Sequence, residues 1–312
     1  MAPSSLPDEV ISEKTVCVMD ASGRVGSALV RRLLRRGYTV HAALHGEYEI
    51  VEGVCCNKKK LRVFPADPLD YHSIMDALKG CSALFYSFEP PSDHPNYDEY
   101  MADVEVRAAH NVLEACAQTD TIEKVVFTSS ITAVIWRDDR NSTPSDLDER
   151  NWSDVNFCRK FKLWHGVSKT LAERTAWALA MDRGVNMVSI NGGLLMADHL
   201  TISNPYLKGA AEMFEDGVFV TVDLNFLVDA HISVFEDSSS YGRYLCFNHV
   251  INSNQDAIHL ANMLLPPSQS TPPPQSLSTK DNLEDTRVYQ QRISNKKLNK
   301  LMVDFRSEVE VE

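Results

Sequence analysis

The stretch Asp20-Ala-Ser-Gly-Arg-Val-Gly26 has the residue types and spacing of a phosphate-binding turn. Glycines three apart at the mouth of a helix let backbone approach a pyrophosphate. The first helical N–H groups and the positive dipole end favour its charge. The neighbouring residues supply the elements such a turn needs. Val16, Cys17, Val18 and Met19 form a short apolar run suited to a buried parallel strand. Residues 28–36 read as a helix with Leu29, Val30, Leu33 and Leu34 on one side, stopped by Gly37. Residues 39–44 open a second apolar run. Together they read as the first βαβ unit of a dinucleotide-binding fold, with Asp20, Ser22, Gly23, Arg24, Val25 and Gly26 facing the cofactor. The first position of the G-x-x-G-x-x-G pattern is Asp20, not glycine. Aspartate tolerates unusual backbone angles better than most residues, but its carboxylate would repel phosphates. An ordinary Ser/Gly turn before a helix is the alternative reading, and the flanking strand and helix favour nucleotide binding.

At the end of the second strand, where such a fold meets the adenosine ribose, stands His45. An acidic residue there favours NAD, and a basic one accommodates the 2′-phosphate of NADP. Lys58, Lys59 and Lys60 follow and would add positive charge, although a solvated lysine run is the commoner role.

The rest of the chain must position this turn. Residues 61–64, 83–87, 123–129 and 184–191 read as further strands, and residues 71–79, 96–118 and 162–182 as helices between them. This alternation predicts an α/β fold, a Rossmann-type doubly wound parallel sheet with a smaller C-terminal substrate-binding region. Residues 1–13 read as a flexible N-terminus, 14–193 as the nucleotide-binding domain and 194–312 as the substrate-binding region, with 226–250 returning to the first domain. Residues 131–161 read as a long irregular segment, a type that tends to be functional. Beyond 193 the pattern predicts helices at 204–214, 226–236 and 255–264 and strands at 219–223 and 243–248. An exposed Pro/Ser-rich connection at 266–280 then precedes a short strand and a helix at 294–302.

The 312 residues carry a net charge of -12, which argues against nucleic-acid or anionic-membrane partners. No apolar run approaches a membrane span. Residues 1–14 show no targeting character. The seven cysteines include no C-x-x-C pair and suit a reduced, cytoplasmic protein. The expected partner is a small-molecule substrate, and the expected state is a monomer or homodimer.

Five segments in family order carry a resemblance. They are ASGRVGSALVRRLLRRGYTV, NVLEAC at 111–116, VVFTSS at 125–130, VSKTLAERTAW at 167–177 and SNKKLNKL near the end. The chain resembles the cinnamoyl-CoA reductase and dihydroflavonol reductase branch of the extended short-chain dehydrogenases. SNPYLKGAAEMFEDG and YGRYLCFNHVI look closest to a cinnamoyl-CoA reductase-like subgroup linked to lignin and defence metabolism. The resemblance implies an NADP(H)-dependent reductase with a Ser–Tyr–Lys catalytic set. Hydroxyls hold the carbonyl oxygen, tyrosine protonates it, and lysine lowers the tyrosine pKa and binds the nicotinamide ribose. Carried onto this sequence, the serine is Ser130, with Ser129 as runner-up, and the lysine is Lys169, which also faces the cofactor. The tyrosine position, four residues earlier, holds His165. The same resemblance assigns Asp67 to the adenine and Gly193 to the cofactor.

Further departures accompany His165. His45 stands where NADP-using relatives carry arginine, Gly192 replaces the proline of the N-P-G turn, and Pro68 follows Asp67. The N-W-Y-C-Y-G-K block of true cinnamoyl-CoA reductases is not matched by residues 162–169. Several of these fall on cofactor or acid positions. Two readings follow: a reductase of a phenylpropanoid-type thioester, aldehyde or ketone with an altered site, or a pseudoenzyme acting through metabolite sensing or protein partners.

Overall fold

The structure, a computed structural model, describes residues 14–45, 59–90, 97–138, 146–197, 200–264 and 288–309. Residues 1–13, Cys55, Cys56, Lys58, Asn96 and the 266–280 connection lie outside them. The first half of the chain runs β1 (Thr15–Met19), α1 (Arg24–Arg35), β2 (Thr39–Leu44), β3 (Leu61–Pro65), α2 (Tyr71–Leu78), β4 (Ala83–Tyr86), α3 (Glu99–Ala117) and β5 (Lys124–Ser130). It continues with α4 (Val155–Lys160), α5 (Trp164–Arg183), β6 (Met187–Gly192) and β7 (Leu194–Met196). The remainder is α6 (Ala210–Glu215), β8 (Val220–Asp223), α7 (Leu224–Glu236), β9 (Gly242–Cys246), β10 (His249–Val250), α8 (Asn254–Leu264) and α9 (Lys296–Val309).

Seven parallel strands pair in the order β3-β2-β1-β4-β5-β6-β9, which is the doubly wound sheet expected from the alternation. The side-chain period of two sends Val16 and Val18 of β1 into a core with α1, α7 and α9 on one face. Cys17 and Met19 go to the opposite face, with α2, α3 and α5. The order reverses between β1 and β4, and the crevice at their carboxyl ends is where doubly wound folds bind ligands. A second sheet, β10-β8-β7, packs with the 131–136 and 155–167 stretches into a third core.

Some boundaries differ from those expected. The first helix begins at Arg24 because Gly23 ends the turn in extended backbone and Ser27 N–H closes onto the Gly23 carbonyl at 2.8 Å. The sixth strand begins at Met187, since Gly184, at φ 71°, is the left-handed cap of α5. The helix expected from 96 starts at Glu99 because Asp98 caps it, accepting from Met101 N–H at 2.8 Å. The segment 131–161 is not a structureless loop where it is described. It contains a 3₁₀ turn at Ile131–Ala133, the buried Trp136 and α4, and Leu147 pairs with the C-terminal segment. The helix expected at 204–214 is broken by Gly209 at φ 87° into a 3₁₀ turn and α6.

Candidate active site

The glycine turn folds as its spacing requires. At Gly26 a Cβ would run into the Asp20 carbonyl, so the chain approaches the helix too closely for any larger residue. Gly23 N–H donates to the Asp20 carbonyl at 3.0 Å, and no side chain caps α1. The first-turn donors thus stay open to a ligand. Asp20 adopts φ 62°, the left-handed region that a glycine would otherwise fill. Its carboxyl lies over Gly23, with Oδ2 2.7 Å from where a Cβ would stand, and Oδ2 is buried without a partner among the described residues. The Tyr86 hydroxyl at the end of β4 is likewise buried and unpartnered. Burial, reinforced by Glu89 and opposed by Lys169, pushes the Asp20 carboxyl up to about 8. At pH 7 it is mostly a neutral acid, so the repulsion expected from sequence is absent and Asp20 can donate to a phosphate oxygen. Open N–H groups and orphaned polar atoms at this turn fit a dinucleotide.

The other cofactor candidates lie at different depths. His45 follows β2 with Nδ1 3.8 Å from Asp67 Oδ1, beyond hydrogen-bonding range, and both are about half exposed. Asp67 Oδ1 accepts from Leu69 N–H at 2.8 Å, which shapes the turn after β3. Lys60 does not point toward this ribose end: its Nζ donates to the Gly37 carbonyl at 2.9 Å. Gly193 crosses between the sheets, donating to the Cys246 carbonyl at 2.9 Å, where a Cβ would meet the β8 backbone. Beside it, Gly192 pairs in register with Ser130.

Ser130, His165 and Lys169 converge at the end of β5. Successive strand residues face opposite ways. Ser129 Oγ donates to the buried Glu173 at 2.8 Å, whereas Ser130 Oγ accepts from Thr132 N–H at 3.2 Å and from Thr132 Oγ1 at 3.1 Å. Thr132 Oγ1 lies 2.9 Å from His165 Nδ1, which makes a continuous chain Ser130–Thr132–His165. His165 opens α5 against the rings of Tyr97 and Tyr206, at centroid distances of 4.9 and 6.2 Å. Burial, and then the nearby Lys169 charge, hold the imidazole well below its usual pKa, so it is neutral.

One turn further along α5, Lys169 Nζ donates to Glu105 Oε1 at 2.7 Å and to the Phe88 carbonyl at 3.2 Å. Ser168 Oγ donates to the other Glu105 oxygen, and Tyr97 lies beside the same carboxylate. Burial and then Glu105 raise the Tyr97 phenol well above its ordinary value.

Thr132, Glu105 and Tyr97 did not emerge from sequence. A signal existed for Glu105. It interrupts the buried side of α3 between Met101, Val104 and Ala108, and an acid inside an apolar stripe requires a buried partner.

The NAD(P)H-binding family matches residues 21–157. Cinnamoyl-CoA reductase 1 of Petunia hybrida is 34% identical over 310 residues, covering 95% of this chain and 89% of that protein. The chain belongs to the cinnamoyl-CoA reductase and dihydroflavonol 4-reductase family of extended short-chain dehydrogenases. Dihydroflavonol 4-reductase of Zea mays is 33% identical, covering 95% of this chain and 85% of that protein. Vestitone reductase from alfalfa superposes with a TM-score of 0.67 at 25% identity, covering 92% of this chain and 91% of the other. Yeast methylglyoxal/isovaleraldehyde reductase Gre2, solved with NADPH, shares the fold with a TM-score of 0.66 at 18% identity, covering 93% of each chain. The expected cofactor class, NADP(H), stands on this membership, and the protein is of an oxidoreductase type. Among the described residues no helix is long and apolar enough to cross a membrane.

Proposed function

We propose that the protein is an NADP(H)-dependent oxidoreductase acting at the C=O/CH–OH carbon of a phenylpropanoid-type thioester, aldehyde or ketone. Its site is Ser130, His165 and Lys169 in place of the family's Ser–Tyr–Lys. The observation that carries this reading is the continuous chain from Ser130 Oγ through Thr132 to His165 Nδ1. It keeps a hydroxyl and an imidazole together beside Lys169 where the family places a phenol. A bound nicotinamide dinucleotide supplies the hydride. Ser130 Oγ–H holds the substrate oxygen, His165 exchanges its proton, and Lys169 is held by the buried Glu105 carboxylate below them. A role in lignin or defence phenolic metabolism is part of the same proposal. Five buried free thiols, Cys17, Cys81, Cys116, Cys158 and Cys246, fit a reducing cytoplasm.

Calorimetry of NADPH and NADH, followed by NADPH oxidation with a hydroxycinnamoyl-CoA or the matching aldehyde, tests the proposal. We expect micromolar NADPH binding and slow turnover that Lys169→Ala abolishes. Absence of binding at millimolar nucleotide would overturn it.

A second reading, a pseudoenzyme working through sensing or protein partners, draws on the Glu105 carboxylate that already engages Lys169. The double variant Asp20→Gly with His165→Tyr separates the two. Under the first reading it changes an existing activity. Under the second, activity appears where the parent has none.

A further inference from the structure

The hydrogen-bond directions around His165 specify more than the presence of an imidazole. Thr132 Oγ1 has a single proton, and the geometry directs it to Ser130 Oγ. With the Thr132 proton on the Ser130 side, the 2.9 Å contact between Thr132 Oγ1 and His165 Nδ1 is one in which the ring donates. A neutral imidazole with its proton on Nδ1 keeps an unshared pair on Nε2. Ser130 Oγ accepts twice from Thr132, from its amide and its hydroxyl, and so retains its own proton for a ligand. The two groups thus offer one donor and one acceptor.

We propose that Thr132 is a positioning residue that fixes His165 in the Nδ1–H tautomer, so that Ser130 Oγ–H and His165 Nε2 together recognise an alcohol rather than a carbonyl. A hydroxyl accepts from Ser130 while donating to Nε2. A carbonyl oxygen only accepts and leaves Nε2 unpaired. The site as it rests presents Nε2 as a hydrogen-bond acceptor, matched to the O–H of a primary or secondary alcohol. In the oxidation of that alcohol the O–H proton passes to His165 Nε2. The carbon–hydrogen bond breaks, its electron pair leaves as hydride to an oxidised nicotinamide dinucleotide, and the C=O bond forms. The imidazolium then releases its proton to water. Reduction runs through the same imidazolium, which burial and Lys169 oppose in both directions, so the preference for an alcohol comes from binding and not from an easier proton transfer.

The inference rests on the oxidoreductase reading for its substrate class but not for its test. Long-range 1H–15N correlation spectra of the full chain, with the His165 signals assigned by their loss in His165→Asn, report the tautomer without any turnover. The expected result is an unprotonated Nε2 in the wild type, retained in Thr132→Ser and replaced by a tautomer mixture in Thr132→Val. In the NADPH-loaded protein, which cannot oxidise an alcohol, cinnamyl alcohol should shift the Nε2 resonance and cinnamyl methyl ether, lacking the O–H, should not. Alcohol oxidation with NADP+ should fall about tenfold or more in Thr132→Val and recover in Thr132→Ser. A protonated Nε2 in the wild type, an unchanged tautomer in Thr132→Val, or equal responses to alcohol and ether would overturn the inference. Failure of nucleotide binding with the tautomer as expected would instead overturn only the oxidoreductase reading.

Discussion

A carboxyl group can share a seat with phosphates only while it is neutral, and Asp20 is held neutral by burial. Its pKa near 8 means that it begins to ionise within the range of ordinary assays. NADPH affinity should be level from about pH 6 to pH 7 and then fall, by at most about tenfold per pH unit, once the pH passes 8. Above pH 8 binding should draw a proton from solution, which calorimetry in buffers of different ionisation heat will detect. Asp20→Asn should bind with no such proton uptake, and an Asn variant with the wild-type pH response would refute the assignment. Stability should follow the same group with a definite sign. The folded carboxyl binds its proton more tightly than the unfolded one, whose pKa is about 4. Its contribution is therefore fully present below about pH 4 and is lost as the pH rises toward 8. The sequence alone exposed the missing glycine but not the neutral state of its replacement, because desolvation depends on what the fold lays around Asp20.

At the scale of elements, α5 is the platform of the site. It carries His165 and Lys169 one turn apart and takes its depth from Gly166 between them. A Cβ at Gly166 would stand 2.9 Å from Trp136 Cδ1 and 3.3 Å from Cys158 Sγ, so α5 seats against the 131–136 turn and α4 only without one. Gly166→Ala should push the first turn of α5 outward, lengthen the Thr132–His165 contact and lower kcat by about tenfold or more, with a stability loss of roughly 1–3 kcal/mol. Kinetics and chemical denaturation check this, and wild-type kcat with wild-type stability would show that the platform has slack. The alternation of strands and helices was readable because each element writes its own period into local sequence. So was the spacing of His165 and Lys169. The pairing of Lys169 with Glu105 was not, since α3 and α5 meet only through the sheet order, and nothing near Lys169 announces its partner. The 131–161 segment was misread for a related reason: its order comes from the buried Trp136 and from Leu147 pairing with the C-terminal segment, both tertiary in origin.

Across the whole molecule, one buried acid holds together the sheet edge on which the site is mounted. Glu173, fully buried, accepts from Ser129 on β5, from Ser189 and Asn191 on β6, and from Arg243 on β9. Arg243 lies over Trp152 at 3.7 Å and donates to the carbonyls of Glu149 and Asn151, which extends the network to the chain between β5 and α4. Ser129 is thus committed to structure, while its neighbour Ser130 faces Thr132 and, through it, His165. Glu173→Gln keeps the shape but leaves the Arg243 guanidinium, 7% exposed, without its counter-charge. Breaking such a pair costs about 3–5 kcal/mol, enough to move the guanidinium denaturation midpoint plainly while the folded fraction still binds NADPH. Ser130→Ala should do the reverse: a smaller change in stability, about 1–2 kcal/mol, because its Oγ pairs only with Thr132, and a loss of about 10²-fold or more in kcat from removal of the oxygen-holding donor. If both variants lost stability equally, the division between a structural serine and a catalytic one in this pair would fail.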